Sequence, residues 1–195
     1  MSLQLSVCIS AYGEPLFLRS VCAQLSELAF VDAIHLLDGP YAFCQEIYKD
    51  CGFYGDEAPS PIRAVAEEFP KVSYSFAIHP DERSKRIHLY QQAQGDLVLL
   101  LDLDEVPLSI SMEALQQFWD SAYSVAAIEM LNIISASVRE QKRAKKYALF
   151  KRESIRAEEH LDYTWLVGVN QNAPNPARMM PLPVLQVDHF FLLRN

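Results

Sequence analysis

A chain of 195 residues, half of them apolar and 22% charged, falls in the range of one globular domain, which excludes a disordered or fibrous chain. Its formal net charge of -8 excludes a general nucleic-acid binder, because phosphate contacts need a basic surface. No stretch approaches the roughly 18 to 20 continuous apolar residues that span a bilayer, and no basic region precedes the first apolar run, so a cytoplasmic protein without a transmembrane segment is expected.

Leu3 to Ile9 is short and apolar and reads as a first strand. The turn Ser10-Ala11-Tyr12-Gly13 follows, and Pro15 suits the opening of a helix. Leu18, Val21, Cys22, Leu25 and Leu28 recur at helical spacing and form one apolar stripe. Ala33 to Leu37 is a second strand, broken by Asp38-Gly39-Pro40. The segment Tyr41 to Pro61, punctuated by Gly52, Gly55, Pro59 and Pro61, is expected to be a mobile loop. A short helix over Ile62 to Phe69 and a third strand over Val72 to Ile78 follow. Ser84 is placed to cap a helix from Lys85 to Gln94, with Gly95 in the terminating position. Leu97 to Leu101 is continuously apolar, as a central strand covered on both faces must be.

Beyond it, Met112 to Trp119 reads as a helix, Val125 to Ile134 and Lys146 to Lys151 as strands, and Leu182 to Leu193 contains a last strand. Strands alternating with helices through the first hundred residues predict an α/β layer structure with a mostly parallel sheet. Arg139, Lys142, Arg143, Lys145, Lys146, Lys151, Arg152 and Arg156 supply eight of the 17 basic residues. Such a run serves either as a solvated face or as a patch facing a diphosphate or anionic acceptor. The cysteines lack C-x-x-C spacing; Cys8 and Cys22 fall on apolar faces, and reduced thiols are expected.

The candidate chemistry lies at Asp102-Leu103-Asp104-Glu105. In open α/β sheets ligands gather at the carboxyl ends of the strands, and this acidic pair stands at such an end. Two carboxylates two residues apart suit a hard divalent cation and a sugar hydroxyl. They also suit the plainer role of stopping a strand and hydrogen-bonding a turn. Asp102, Asp104 and Val106 fit the aspartate-nucleophile motif of haloacid dehalogenase phosphatases superficially. That motif opens its fold, whereas three strands precede it here, and no Asp-Asp or Gly-Asp-x-x-x-Asp cluster lies downstream.

The run from Lys85-Arg86-Ile87 through Ala93-Gln94-Gly95-Asp96 and Leu97 to Leu101 into Asp102-Leu103-Asp104-Glu105 resembles family 2 glycosyltransferases of the GT-A fold. These carry Ala-Arg-Asn, a helix, Ala-x-Gly-Asp, an apolar strand and Asp-Ala-Asp-Glu. Leu5 to Glu14 is similar to the family's first strand with its Tyr-Asn-Glu turn, and Leu36-Leu37-Asp38-Gly39 to its second strand. Gly13 and Ile87 stand where asparagine is common. Val187-Asp188-His189-Phe190-Phe191 resembles the C-terminal strand whose histidine is a further metal ligand.

The resemblance implies one GT-A-like domain over residues 1–195, a three-layer α/β/α sandwich with a mostly parallel central sheet. A nucleotide-sugar-binding half would span about residues 3–106 and an acceptor half about 107–195. It implies Asp38 at the base or ribose, Arg86 at the diphosphate, Asp102 at the ribose or donor sugar, and Asp104 with His189 on a Mn or Mg ion. The expected function is transfer of a sugar from a nucleotide-diphosphate donor to the hydroxyl of a glycan, lipid-linked sugar or protein. The acceptor base is sought in Glu158, Glu159, His160 and Asp162, with Glu159 and Asp162 preferred. Tyr163 and Trp165 could stack on a sugar face. Two other readings remain: a GT-A-fold nucleotidyltransferase, which should carry a Gly-rich basic loop absent from Ser10 to Glu14, and a degenerate sugar-nucleotide binder.

Overall fold

The computed structural model describes residues 3–13, 15–44, 60–135, 138–161, 170 and 177–189, with the backbone alone for 132–135, 138–143, 181–182 and 189. Eight strands form one sheet: β1 (Leu5–Ala11), β2 (Val31–Asp38), β3 (Val72–Phe76), β4 (Leu97–Asp102), β5 (Glu105–Ser109), β6 (Val125–Ser135), β7 (Val138–Lys151) and β8 (Met179–His189). The helices are α1 (Leu18–Glu27), α2 (Pro61–Ala66), α3 (Glu82–Gln92), α4 (Met112–Asp120) and α5 (Ala157–His160). The strand order is β3-β2-β1-β4-β7-β6-β8-β5. β3, β2, β1 and β4 run parallel to one another, as do β6 and β8, while β7 is antiparallel to both β4 and β6, and β5 is antiparallel to β8.

The largely apolar β1 and β4 lie beside each other within the sheet because helices cover both their faces. All seven residues of β1 are buried, as are Leu97 to Leu101 of β4. The chain steps from β1 to β2 to β3 in one direction, then returns past β1 to β4. Right-handed crossovers therefore put α1 and α2 on one face and α3 on the other. In keeping with this, α1 packs on α2, and α3 packs on β1, β2, β4 and α5. The direction reverses between β1 and β4, the kind of position at which open α/β sheets bind their ligands.

Several elements differ in detail from expectation. Helix α3 begins three residues before Lys85, and its cap is Asp81, whose Oδ1 accepts from the Ser84 backbone N at 2.7 Å. Gly95 does not end the helix in a left-handed turn. A Cβ there would lie 2.8 Å from Ser6 N and 2.9 Å from Gln4 O, so a close backbone crossing requires the glycine. β5 had no counterpart in the sequence reading because Pro107 interrupts it. The strand is an edge strand, where a missing N–H is tolerated. β7 is 14 residues long and takes in most of the basic run, paired with β6 as a long hairpin. Cys8 and Cys22 are buried free thiols. Residues 45–59, most of the expected loop, lie outside the described residues.

Candidate functional site

Register alone brings the predicted residues together. Asp38 ends β2 opposite Ala11, and Asp102 ends β4 opposite Ser10, so the two aspartates flank the end of β1. Two strand spacings put their backbones ~10 Å apart.

Asp38 is fully buried, and its carboxylate is fixed from three directions. Oδ1 accepts from Gly39 N at 2.7 Å, while Oδ2 accepts from Ser60 Oγ at 2.5 Å and Tyr74 OH at 2.9 Å. Burial, with the nearby Asp38 charge, pushes the Tyr74 hydroxyl up to about 12, so it remains a donor. Gly39 turns the chain at φ +124°, and a Cβ would stand 2.2 Å from Ala77 O, so only glycine fits after Asp38.

Asp102 belongs to a buried ionic cluster. Its Oδ2 accepts from Lys146 Nζ at 2.8 Å and lies 3.6 Å from the Arg86 guanidinium. The same ammonium donates to both oxygens of Glu105, at 3.0 and 2.9 Å, and Glu105 Oε2 accepts from Asp102 N at 2.8 Å. Arg86 also pairs with Glu82 one helical turn away. Three carboxylates (Glu82, Asp102, Glu105) thus face two cations (Arg86, Lys146). Burial pushes the Glu105 carboxyl up, with Lys146 opposing, and burial likewise raises Glu82. Lys146 is held above the ordinary lysine range, because Asp102 and Glu105 outweigh the burial that works against its charge. Lys146 comes from β7, whose antiparallel pairing with β4 brings it towards the Asp102 end of that strand.

Asp104 stands in the two-residue turn between β4 and β5 and is half-buried. His189 ends β8 and pairs in register with Glu105, so its backbone faces the residue next to Asp104. Among the described residues no group of three His, Cys, Asp or Glu side chains is arranged to hold a metal. The side chain of His189 is not among those described.

Asp38, Arg86, Asp102 and Asp104 therefore gather at one end of the sheet, and Glu159 is placed elsewhere. It lines a cavity of about 380 Å³ with Arg156, His160, Arg178 and Ser124 among its walls. Ser124 O accepts from Lys151 N, and Lys151 pairs with Leu97, the first residue of β4. This wall lies at the end of the sheet opposite Asp102. Asp162, Tyr163 and Trp165 lie outside the described residues.

Lys85, Glu82, Glu105 and Lys146 were not among the expected site residues. Lys85 left one trace, a cation where the motif carries alanine. Glu105 left another, as the last residue of Asp-x-Asp-Glu. The basic run divides by position. Lys146 enters the ionic cluster, Lys151 Nζ donates to Ser121 O at 2.6 Å beside the Phe118 and Trp119 rings, and Arg152 Nε donates to Gly95 O at 3.0 Å. Neither a uniform solvated face nor a single anion patch describes it.

No protein-family model matches the sequence, and no curated protein matches it. Solved structures do resemble it. The structure of residues 1–349 of S. aureus TarS superposes with a TM-score of 0.58 over 96% of this chain and 60% of that one, at 12% identity. A further structure of S. aureus TarS gives 0.55 over 96% and 37%, at 13% identity. The mannosyltransferase PcManGT of Pyrobaculum calidifontis, solved with GDP-Man and Mn2+, gives 0.58 over 100% of this chain and 59% of that one, at 14% identity. The chain thus spans about three fifths or less of the proteins it resembles. Its mixed α/β architecture, with a mostly parallel central sheet, is the fold of the GT-A-type glycosyltransferases.

Proposed function

We propose that the chain is a glycosyltransferase that moves a sugar from a nucleotide-diphosphate donor to an acceptor hydroxyl, aided by a divalent metal. The observation that carries this reading is the placement of Asp38 and Asp102 on either side of the end of β1, at the reversal point of a GT-A-type sheet. The neighbour solved with GDP-Man and Mn2+ supports a nucleotide sugar as the ligand class.

In this reading residues 3–106 hold the donor and residues 107–195 the acceptor. Asp38, preset by Gly39, Ser60 and Tyr74, contacts the base or ribose. Asp102 contacts the ribose or donor sugar, held in orientation by Lys146. Arg86 lends positive charge to the diphosphate. A carboxylate and an imidazole are a donor pair suited to Mn or Mg, and Asp104 with His189 would hold the ion. When bound, the metal supplies Lewis-acid stabilisation of the leaving diphosphate. The acceptor proton goes to Asp162, since Glu159 lines the cavity at the end of the sheet opposite Asp102. A cytoplasmic location is part of the same proposal; no helix among the described residues is long and apolar enough to cross a membrane.

Calorimetry and turnover with UDP, GDP and dTDP sugars, with and without Mn, test the reading. Binding of at least one donor is expected, and binding of none sinks the proposal. Asp104→Ala should weaken Mn-dependent donor binding by at least tenfold and leave metal-free binding unchanged. Metal dependence equal to wild type would move the ligand elsewhere. In the same assay Asp162→Asn should lower kcat on the order of 10²-fold with donor affinity intact, as expected when a general base is removed, whereas Glu159→Gln, at the far end of the sheet, should leave kcat unchanged. If Asp162→Asn does not slow turnover, the base assignment fails.

A further inference from the structure

Lys85 is fully buried, and its ammonium hydrogen-bonds to two carbonyls rather than to a carboxylate. Nζ donates to Ala11 O at 2.8 Å and Gly39 O at 2.7 Å, and lies 5.3 and 5.7 Å from the centroids of the Tyr12 and Tyr41 rings. Ala11 ends β1, and Gly39 follows the end of β2. The two tyrosines belong to the loops beyond those strands. One side chain of α3 thus ties together the two loops beyond the ends of β1 and β2. A buried ammonium is costly unless its donors are satisfied and a charge or aromatic face compensates it. Here the fold retains a positive charge whose field partners are Asp38 on one side and Asp102 on the other.

We propose that Lys85 is a positioning residue of the donor site: its ammonium fixes the loop after β1 to the loop after β2 and holds a buried positive charge beneath the span from Asp38 to Asp102, whose field favours the anionic part of a bound nucleotide. The proposal rests on the nucleotide-sugar reading above, and it concerns a residue for which the family motif carries alanine.

A titration follows from this position. Burial lowers the Lys85 ammonium to about 8, with Asp38 and Asp102 opposing the fall. The groups around it are Asp38 from β2, Asp102 from β4, Tyr12 and Tyr41 from the two loops, His79 ahead of α3, and Arg86 and His88 on α3 itself. An anion arriving above Lys85 favours its charged form, so the folded protein without ligand is partly deprotonated at pH 8 and the complex is more fully protonated. Binding at pH 8 therefore takes up a fraction of a proton, approaching about half, and binding at pH 6.5 takes up none at this site.

Calorimetry of UDP, GDP and dTDP in buffers of differing ionisation enthalpy, at pH 6.5 and pH 8, measures this uptake in wild type, Lys85→Arg and Lys85→Met. The expected results are uptake at pH 8 in wild type and its loss in Lys85→Arg, whose guanidinium does not titrate. In Lys85→Met, affinity should fall at least tenfold at pH 6.5. Uptake that persists in Lys85→Arg assigns the proton to another group and overturns the charge role. Hydrogen exchange without ligand tests the tie independently: in Lys85→Met, amides of residues 10–13 and 39–43 should exchange at least tenfold faster while those of α1 stay unchanged. Unchanged exchange in both loops overturns the tie. If no nucleotide binds wild type, the functional reading fails while the exchange result still decides the structural one. Should Lys85→Met not fold, wild type against Lys85→Arg carries the test.

Discussion

Replacing Lys146 with methionine is expected to destabilise the protein by about 3 to 5 kcal/mol, the usual cost of removing one partner from a buried ion pair. Lys146 is almost wholly buried, and its ammonium is the contact shared by Asp102 and Glu105. Without it, Glu105 keeps a desolvated carboxylate whose remaining bond comes from Asp102 N, and Asp102 keeps the more distant Arg86. The loss is large against the roughly 5 to 15 kcal/mol that hold a domain together. Urea denaturation of wild type, Lys146→Met, Glu105→Gln and the double variant measures it. The double variant should recover part of the loss, because neutralising Glu105 removes one of the two stranded charges, and the cycle then reports a favourable coupling. A Lys146→Met protein within 1 kcal/mol of wild type would mean that the cluster contributes little to the fold.

That cluster marks the boundary of what the sequence discloses. β1, β2 and β4 can be read because unbroken apolar runs have few places to go except the middle of a covered sheet, and Asp38 and Asp102 can be read because they close two of those runs. Arg86 follows from its motif. Lys146 and Glu105 meet across 41 positions of sequence, through the pairing of β4 with β7, and no local pattern encodes that pairing. The charged half of β7 hides its own strand, since its ladder partner is β6 and its residues do not alternate apolar with polar. At α3 two capping residues stand three apart, Asp81 and Ser84, and the backbone conformation of Asp81 decides between them. β5 is concealed by Pro107. In each case the sequence shows the residue types, and tertiary pairing decides which of them meet.

Asp102→Asn is expected to give the opposite profile: little lost stability and a turnover reduced on the order of 10²-fold, the scale set by misplacing a reacting group. Removing one negative charge leaves Glu82 and Glu105 facing Arg86 and Lys146, two against two, so the cluster is left closer to balance than before. The amide keeps the shape of the carboxylate. If Asp102 serves only to stop β4 and anchor Lys146, the substitution changes stability by about 1 kcal/mol through a weakened charge-assisted hydrogen bond and leaves turnover within tenfold of wild type. If Asp102 contacts the ribose or donor sugar, turnover falls while the unfolding midpoint barely moves. Comparing Asp102→Asn with Lys146→Met in both assays therefore separates an aspartate that works on the donor from one that only completes the fold. Equal turnover in Asp102→Asn and wild type would leave Asp102 with its structural part alone.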